Sequence, residues 1–92
     1  MILEYAKVRS TAYDPDRANP SDAGLDVFYS PENPYHKIYM SPNTSRVIPT
    51  GLKFAIPHGY MLEVKNRSSV AAKLQLLVGA CVIDSGYEGE VF

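Results

Sequence analysis

Apolar residues fall in short runs along the chain, each broken after a few positions by glycine, proline or a polar cluster. Runs of this length, rich in β-branched and aromatic residues, read as strands bounded by turns. The pattern predicts strands over residues 2–8, 24–29, 37–40 and 46–48. It also predicts a hairpin in which 52–56 and 60–65 flank Pro57-His58-Gly59, because a short glycine-bearing loop between two β-prone runs favours antiparallel return. Residues 68–74 form the one plausible helical turn. Residues 75–83 are apolar and β-prone, and 88–92 begin a further strand whose pattern is still running at Phe92. Many short strands separated by turn signals predict an all-β sandwich or barrel.

Composition narrows the picture. At 92 residues there is room for one domain. Nine Lys+Arg against ten Asp+Glu give a net charge of −1, without the basic surface that a general nucleic-acid binder needs. With 46% hydrophobic residues the chain is too apolar for a disordered segment. The apolar run 76–83 is far short of the roughly 20 residues of a membrane-spanning helix, and the N-terminus has no signal-peptide pattern. The expected location is therefore the cytoplasm or an equivalent soluble compartment. Cys81 is the one cysteine, so no intramolecular disulfide is expected. His36 and His58 have no zinc-ligand spacing, and phosphate-loop, dinucleotide and nucleophile-elbow motifs are absent.

Three segments place polar residues in unusual settings. In Ala23-Gly24-Leu25-Asp26-Val27 a carboxylate interrupts an apolar run, either as a solvent-facing strand residue or with a chemical role. In Lys65-Asn66-Arg67-Ser68-Ser69-Val70-Ala71 two cations and two hydroxyls lead into the helical turn. That grouping suits phosphate, or Ser68 simply caps the turn. From Gly79 to Glu90, Asp84 follows an apolar run and precedes a turn containing Gly86 and Tyr87. Asp84 is a candidate general base there, or it bonds the backbone of a β-turn that Tyr87 packs.

Taken in order and spacing, these segments resemble the trimeric dUTPase family. Ala23–Val27 resembles its first motif, Arg67–Ala71 its second, and Gly79–Glu90 its third. Ile48-Pro49-Thr50-Gly51-Leu52, Ala55-Ile56-Pro57 and Gly59-Tyr60 are also similar to the family pattern, so the resemblance runs from about Tyr5 to Phe92. The resemblance implies a jelly-roll-like distorted β-barrel, a homotrimer with sites between subunits, and Mg²⁺-assisted hydrolysis of dUTP to dUMP and pyrophosphate. It implies that Asp84 activates the attacking water and that Tyr87 stacks under the deoxyribose. It further implies that the backbone of Gly79, Cys81, Val82 and Ile83 reads the uracil edge, that Arg67, Ser68 and Ser69 hold phosphates, and that Asp26 helps place the metal through water.

Ser69 and Cys81 stand where the family often has glycine, and the fourth and fifth family motifs are missing. The expectation is accordingly a chain that forms about two thirds of a subunit, a single incomplete domain over 1–92, with weak nucleotide binding and little turnover by itself. Two alternatives share the pattern. One is a dCTP deaminase on the same fold, whose Arg-Ser-Ser and Ile-Asp elements this chain echoes. The other is a non-catalytic nucleotide-binding or interaction module.

Overall fold

The computed structural model describes residues 2–79 and 81–92. Its regular elements are β1 (Glu4–Lys7), β2 (Leu52–Ala55), β3 (Met61–Glu63), a one-turn π-helical segment (Val70–Leu74) and β4 (Val82–Asp84). β1 pairs with β2, and β3 pairs antiparallel with β4. The chain divides into two compact units. One comprises Ala55–Tyr87 with the N-terminal residues through Glu4, the other Tyr5–Phe54 with Glu88–Phe92.

The second of these units is organised around Pro49-Thr50-Gly51. Each residue of this tripeptide takes up a backbone group from elsewhere. The Pro49 carbonyl accepts the Ser30 N–H at 2.9 Å. The Thr50 hydroxyl donates to the Val91 carbonyl at 2.6 Å and accepts the Leu52 N–H at 3.3 Å. Gly51 accepts the Val8 N–H on its carbonyl and donates its own N–H to Glu90 Oε2 at 3.0 Å. Gly51 has φ +72°, and a Cβ there would lie 2.5 Å from the Ala12 Cβ and 2.8 Å from Arg9 Nη1. Both the left-handed backbone and the close approach require glycine.

Arg9 and Glu90 close the same unit. The guanidinium donates two bonds to the carboxylate, Nη2 to Oε1 at 2.7 Å and Nη1 to Oε2 at 3.1 Å, and a third from Nη1 to the Ser30 carbonyl at 3.2 Å. Both side chains are largely covered, at 20% and 14% exposure. The same unit buries Ala12, Leu52, Phe54 and Val91. Ser30 is fully buried yet satisfied, since its hydroxyl donates to the Phe28 carbonyl and accepts the Tyr13 N–H. No buried side-chain polar atom lacks a partner among the described residues.

Several expected strands take another form. The turn at 57–60 is present, with Tyr60 N–H bonded to the Pro57 carbonyl and Gly59 at φ +87°. The runs beside it do not make a hairpin with each other. β2 is committed elsewhere: β1 lies alongside it, and the Leu52 carbonyl accepts the Val91 N–H at 2.9 Å. Residues 24–29 contribute a single bridge, Asp26 to Asp16, rather than a strand. Residues 37–40 and 46–48 form no ladder, and Tyr39 and Val47 stay exposed without a buried face to fix a register. Residues 88–92 are tied through Val91 and Glu90 but make no regular strand. Of the run 75–83 only Val82 and Ile83 enter a strand, and Ala80 lies outside the described residues.

Two predictions follow from these contacts. Glu90→Ala strands the largely covered Arg9 charge and is expected to lower stability by about 2–3 kcal/mol, while Glu90→Gln costs about 1–2 kcal/mol. Urea unfolding with unchanged m-value reads both, and equal stability of all three chains would refute the clamp. Near β1, the Tyr5 hydroxyl donates to Asp14 Oδ1 at 2.8 Å and Lys7 Nζ lies 3.4 Å from Oδ2. The hydrogen bond from Tyr5, helped by Lys7, holds the Asp14 carboxyl below its ordinary value, and the same bond raises the Tyr5 hydroxyl. A depressed carboxylate contributes stability above its unfolded value, roughly 3.9, which is lost as pH falls through the folded value. The raised tyrosine contributes below its unfolded value of about 10 and loses that contribution as pH rises through the folded one. Carboxyl NMR titration of Tyr5→Phe should return Asp14 toward its ordinary midpoint; an unmoved midpoint would assign the depression elsewhere.

Candidate active site

β4 carries Val82, Ile83 and Asp84 of the residues that the sequence singles out, and β3 is its partner. Their register pairs Met61 with Asp84, Leu62 with Ile83 and Glu63 with Val82. The ladder extends by one bond, from Val64 N–H to the Cys81 carbonyl at 2.7 Å. Alternation in an antiparallel pair then makes Met61–Asp84 and Glu63–Val82 the wide pairs, whose side chains lie closest and share one face. That face is exposed, whereas Leu62 and Ile83 on the other are half-buried. Asp84 is thus held open to solvent at the end of a strand whose reverse face packs inward.

The same alternation sorts the backbone of β4. Cys81 and Ile83 turn their peptide groups toward β3, and Val82 turns its N–H and carbonyl away from it. β3 is the partner of β4 in a two-stranded sheet among the described residues, so the Val82 groups lie along its outer edge. The expected base-reading segment therefore presents Val82 outward, while the Cys81 carbonyl is occupied by Val64. The Cys81 thiol is half-buried.

Immediately after β4 the chain reverses. The Tyr87 N–H bonds the Asp84 carbonyl at 3.1 Å across Ser85-Gly86, a four-residue turn that fixes the aromatic three positions beyond the carboxylate. Tyr87 is 42% exposed, so its ring is not sealed into a core. The backbone of this segment makes the turn, and both side chains are exposed.

The second motif follows β3. Ser68 and Ser69 are exposed, and Ser69 precedes the helical segment with helical backbone angles and no side-chain capping bond. Capping therefore does not occupy the Ser69 hydroxyl. The Arg67 carbonyl accepts the Ala71 N–H at 2.9 Å, and Gln75, at φ 55°, ends the turn. Sequence reasoning missed two features here. Asn66 Oδ1 accepts the Val78 N–H at 2.7 Å, which ties the start of the second motif to the segment before the third. Lys65 Nζ lies 3.3 Å from Glu63 Oε1. The continuing period of two through Met61, Glu63 and Lys65 was a signal for the second of these, and the Asn66 bond to a backbone group twelve residues on had none.

Asp26 lies in the other unit. Its N–H and carbonyl exchange bonds with Asp16 at 2.6 and 3.0 Å, and the residue is half-buried. No group of three or more metal-ligating side chains occurs among the described residues. The Asp26 carboxylate is a hard oxygen donor of the kind Mg²⁺ takes, an ion that keeps several waters and relies on substrate phosphates for the remaining ligands.

The fold is that of an all-β protein in which the candidate residues Asp84 and Tyr87 sit on, and just after, the second strand of a short pair. The chain belongs to the dUTPase family, whose model matches residues 10–92. It is 37% identical over 79 residues to the deoxyuridine 5'-triphosphate nucleotidohydrolase of Mycobacterium sp. (strain JLS), covering 84% of this chain and 48% of that protein. The protein of the same description from Chlamydia trachomatis serovar L2 is 33% identical over 89 residues, covering 95% of this chain and 59% of that one. Among solved structures, a mutant dUTPase from phage phi11 of S. aureus, described with a structural Mg(II) ion, superposes with a TM-score of 0.86 at 30% identity, over 99% of this chain and 56% of that one. A mutant dUTPase of Staphylococcus bacteriophage 80alpha matches with a TM-score of 0.85 at 29% identity, over 98% of this chain and 55% of that one. The chain spans about half the length of the curated relatives it matches. The deaminase alternative is not better supported by any of these matches. No helix among the described residues is long and apolar enough to cross a membrane.

Proposed function

We propose that this chain carries the water-activating and sugar-reading parts of a dUTP diphosphatase, which converts dUTP and water to dUMP and pyrophosphate. The observation that carries the reading is the exposed Asp84 on β4, followed by a turn that presents Tyr87 three residues later. Asp84 accepts a proton from water, the resulting hydroxide adds to phosphorus, and the phosphoanhydride bond breaks with its electron pair leaving on pyrophosphate. General base catalysis of this kind is worth about 10²–10⁴-fold. Tyr87 offers a flat face to the deoxyribose and leaves no space for a 2′-hydroxyl. The outward N–H and carbonyl of Val82, within the segment of Gly79, Cys81 and Ile83, suit the uracil edge. Arg67 supplies a forked cation, and Ser68 and Ser69 supply hydroxyls, to the phosphates.

Asp26 is the carboxylate that would help hold Mg²⁺ through water, and the ion when bound supplies charge neutralisation along the phosphate chain. In this reading residues 1–92 belong to one dUTPase-type domain acting in a soluble, cytoplasmic setting. The protein assembles as a homotrimer, with neither membrane nor nucleic acid as partner.

The test measures pyrophosphate release from dUTP, UTP and dCTP, alongside binding of the non-hydrolysable α,β-imido analogue of dUTP. Asp84→Asn should cut turnover by about 10²-fold or more while analogue binding persists. Tyr87→Ala should bring the dUTP and UTP rates together. Unchanged kinetics in Asp84→Asn remove it from the base role, and ammonia release from dCTP replaces the diphosphatase with a deaminase.

A further inference from the structure

Lys65, the first of the two cations ahead of the helical turn, shares a face with Asp84. The register puts Met61 and Glu63 on the Asp84 side of β3. The bond from Val64 N–H to the Cys81 carbonyl carries the ladder past Glu63, so the next side chain on that side is Lys65. The ion pair confirms the placement, because Lys65 Nζ reaches Glu63 Oε1 at 3.3 Å, as residues two apart on one strand face can. Asn66, out of phase, points elsewhere and bonds the Val78 N–H. The outward face thus reads Asp84, Val82, Met61, Glu63 and Lys65, with the cation at the end nearest Arg67.

We propose that Lys65 is a further phosphate-binding residue of this site, held in reserve by Glu63 and handed over when a polyphosphate arrives. The proposal rests on the assignment of Asp84 as the water-activating group. Phosphorus undergoing attack must lie within reach of a water on Asp84, and a phosphate chain laid from there along the exposed face of the pair meets Lys65. Met61, opposite Asp84, and Lys65 are four residues apart, about 13 Å along an extended strand, a span that a lysine side chain and a polyphosphate cover together. The holding pair is weak enough to exchange. Lys65 and Glu63 are 76% and 41% exposed, and ion pairs this open contribute little to stability. A polyphosphate presents more negative charge than the single Glu63 carboxylate and so outcompetes it. Glu63 meanwhile competes with stray monoanions for Lys65.

The experiment is calorimetric titration of the 92-residue chain with α,β-imido-dUTP, inorganic pyrophosphate and dUMP at two salt concentrations. Lys65→Gln should weaken analogue and pyrophosphate binding about threefold to tenfold and flatten the salt dependence, as loss of one screened charge contact does. It should leave dUMP nearly unchanged. Lys65→Arg should retain most of the affinity, and Glu63→Gln should tighten pyrophosphate binding about twofold to fivefold, since the competitor is gone. Because both side chains are exposed, folding of the variants is checked by their amide spectra. If Arg67→Gln abolishes analogue binding and Lys65→Gln does not alter it, the role of Lys65 is overturned while the site assignment stands. If neither the parent chain nor any variant binds the analogue or pyrophosphate, the proposal and the site assignment fall together. Weakening of dUMP binding equal to that of the analogue would make Lys65 a general electrostatic contributor and overturn the polyphosphate role.

Discussion

The forked contact between Arg9 and Glu90 is the constraint around which the Tyr5–Phe54 and Glu88–Phe92 unit is arranged. It spans 81 positions of sequence and gathers the Ser30 carbonyl and the Gly51 N–H onto the same two side chains. A charged pair this well covered is not a source of stability merely by being present, because desolvation of both groups opposes their attraction. Its leverage lies in the cost of breaking it. With Glu90 gone, Arg9 keeps its charge in a place that water reaches poorly. The clamp therefore fixes which backbone segments meet. Residue 90 must lie against 51, residue 9 against 30, and the apolar Leu52, Ala12 and Val91 close around that arrangement.

This division of labour cuts across the family motifs. The third motif runs from Gly79 to Glu90, yet its first part carries the candidate residue Asp84 and its last residue carries the clamp. Likewise Pro49-Thr50-Gly51 holds no candidate catalytic group, and each of its members is explained by a hydrogen bond or by the positive φ at Gly51. A motif recognised in sequence thus includes residues, such as Glu90, whose part is to hold other segments still. Only the contacts identify them.

What could be read from the sequence follows the range of the forces involved. The turn at Pro57-His58-Gly59, the helical turn after Ser68 and the reversal between Asp84 and Tyr87 are set by neighbours within four residues, and glycine and proline announce the first of them directly. The partner of β2 could not be read in this way. A local hairpin signal favoured β3, but long-range bonds to β1 and Val91 took the available edges of Leu52. Apolar content alone also overpredicted strands. Residues 25, 27, 39 and 47 are β-prone, yet they remain exposed, and β propensity without a packed face does not fix a ladder. The Arg9–Glu90 pair, Ser30 and Asn66 carried no local signal, since each is defined by a distant backbone group.

The strand pair that bears Asp84 shows why register matters more here than strand length. β3 and β4 have only three residues each, and their two faces differ sharply. Leu62 and Ile83 are half-buried on one side, while Met61, Glu63, Val82 and Asp84 are exposed on the other. A slip of one residue would exchange the faces, turning Asp84 inward and Ile83 out to water. Burial of an unpaired carboxylate is far more costly than exposure of one isoleucine, so the polar residues act together with the apolar ones to reject the slipped pairing. The turn from Asp84 to Tyr87 and the bond from Asn66 to Val78 hold the segments at either end of the pair. The same alternation that packs Ile83 inward therefore keeps Asp84, and Lys65 beyond Glu63, on the side open to solvent.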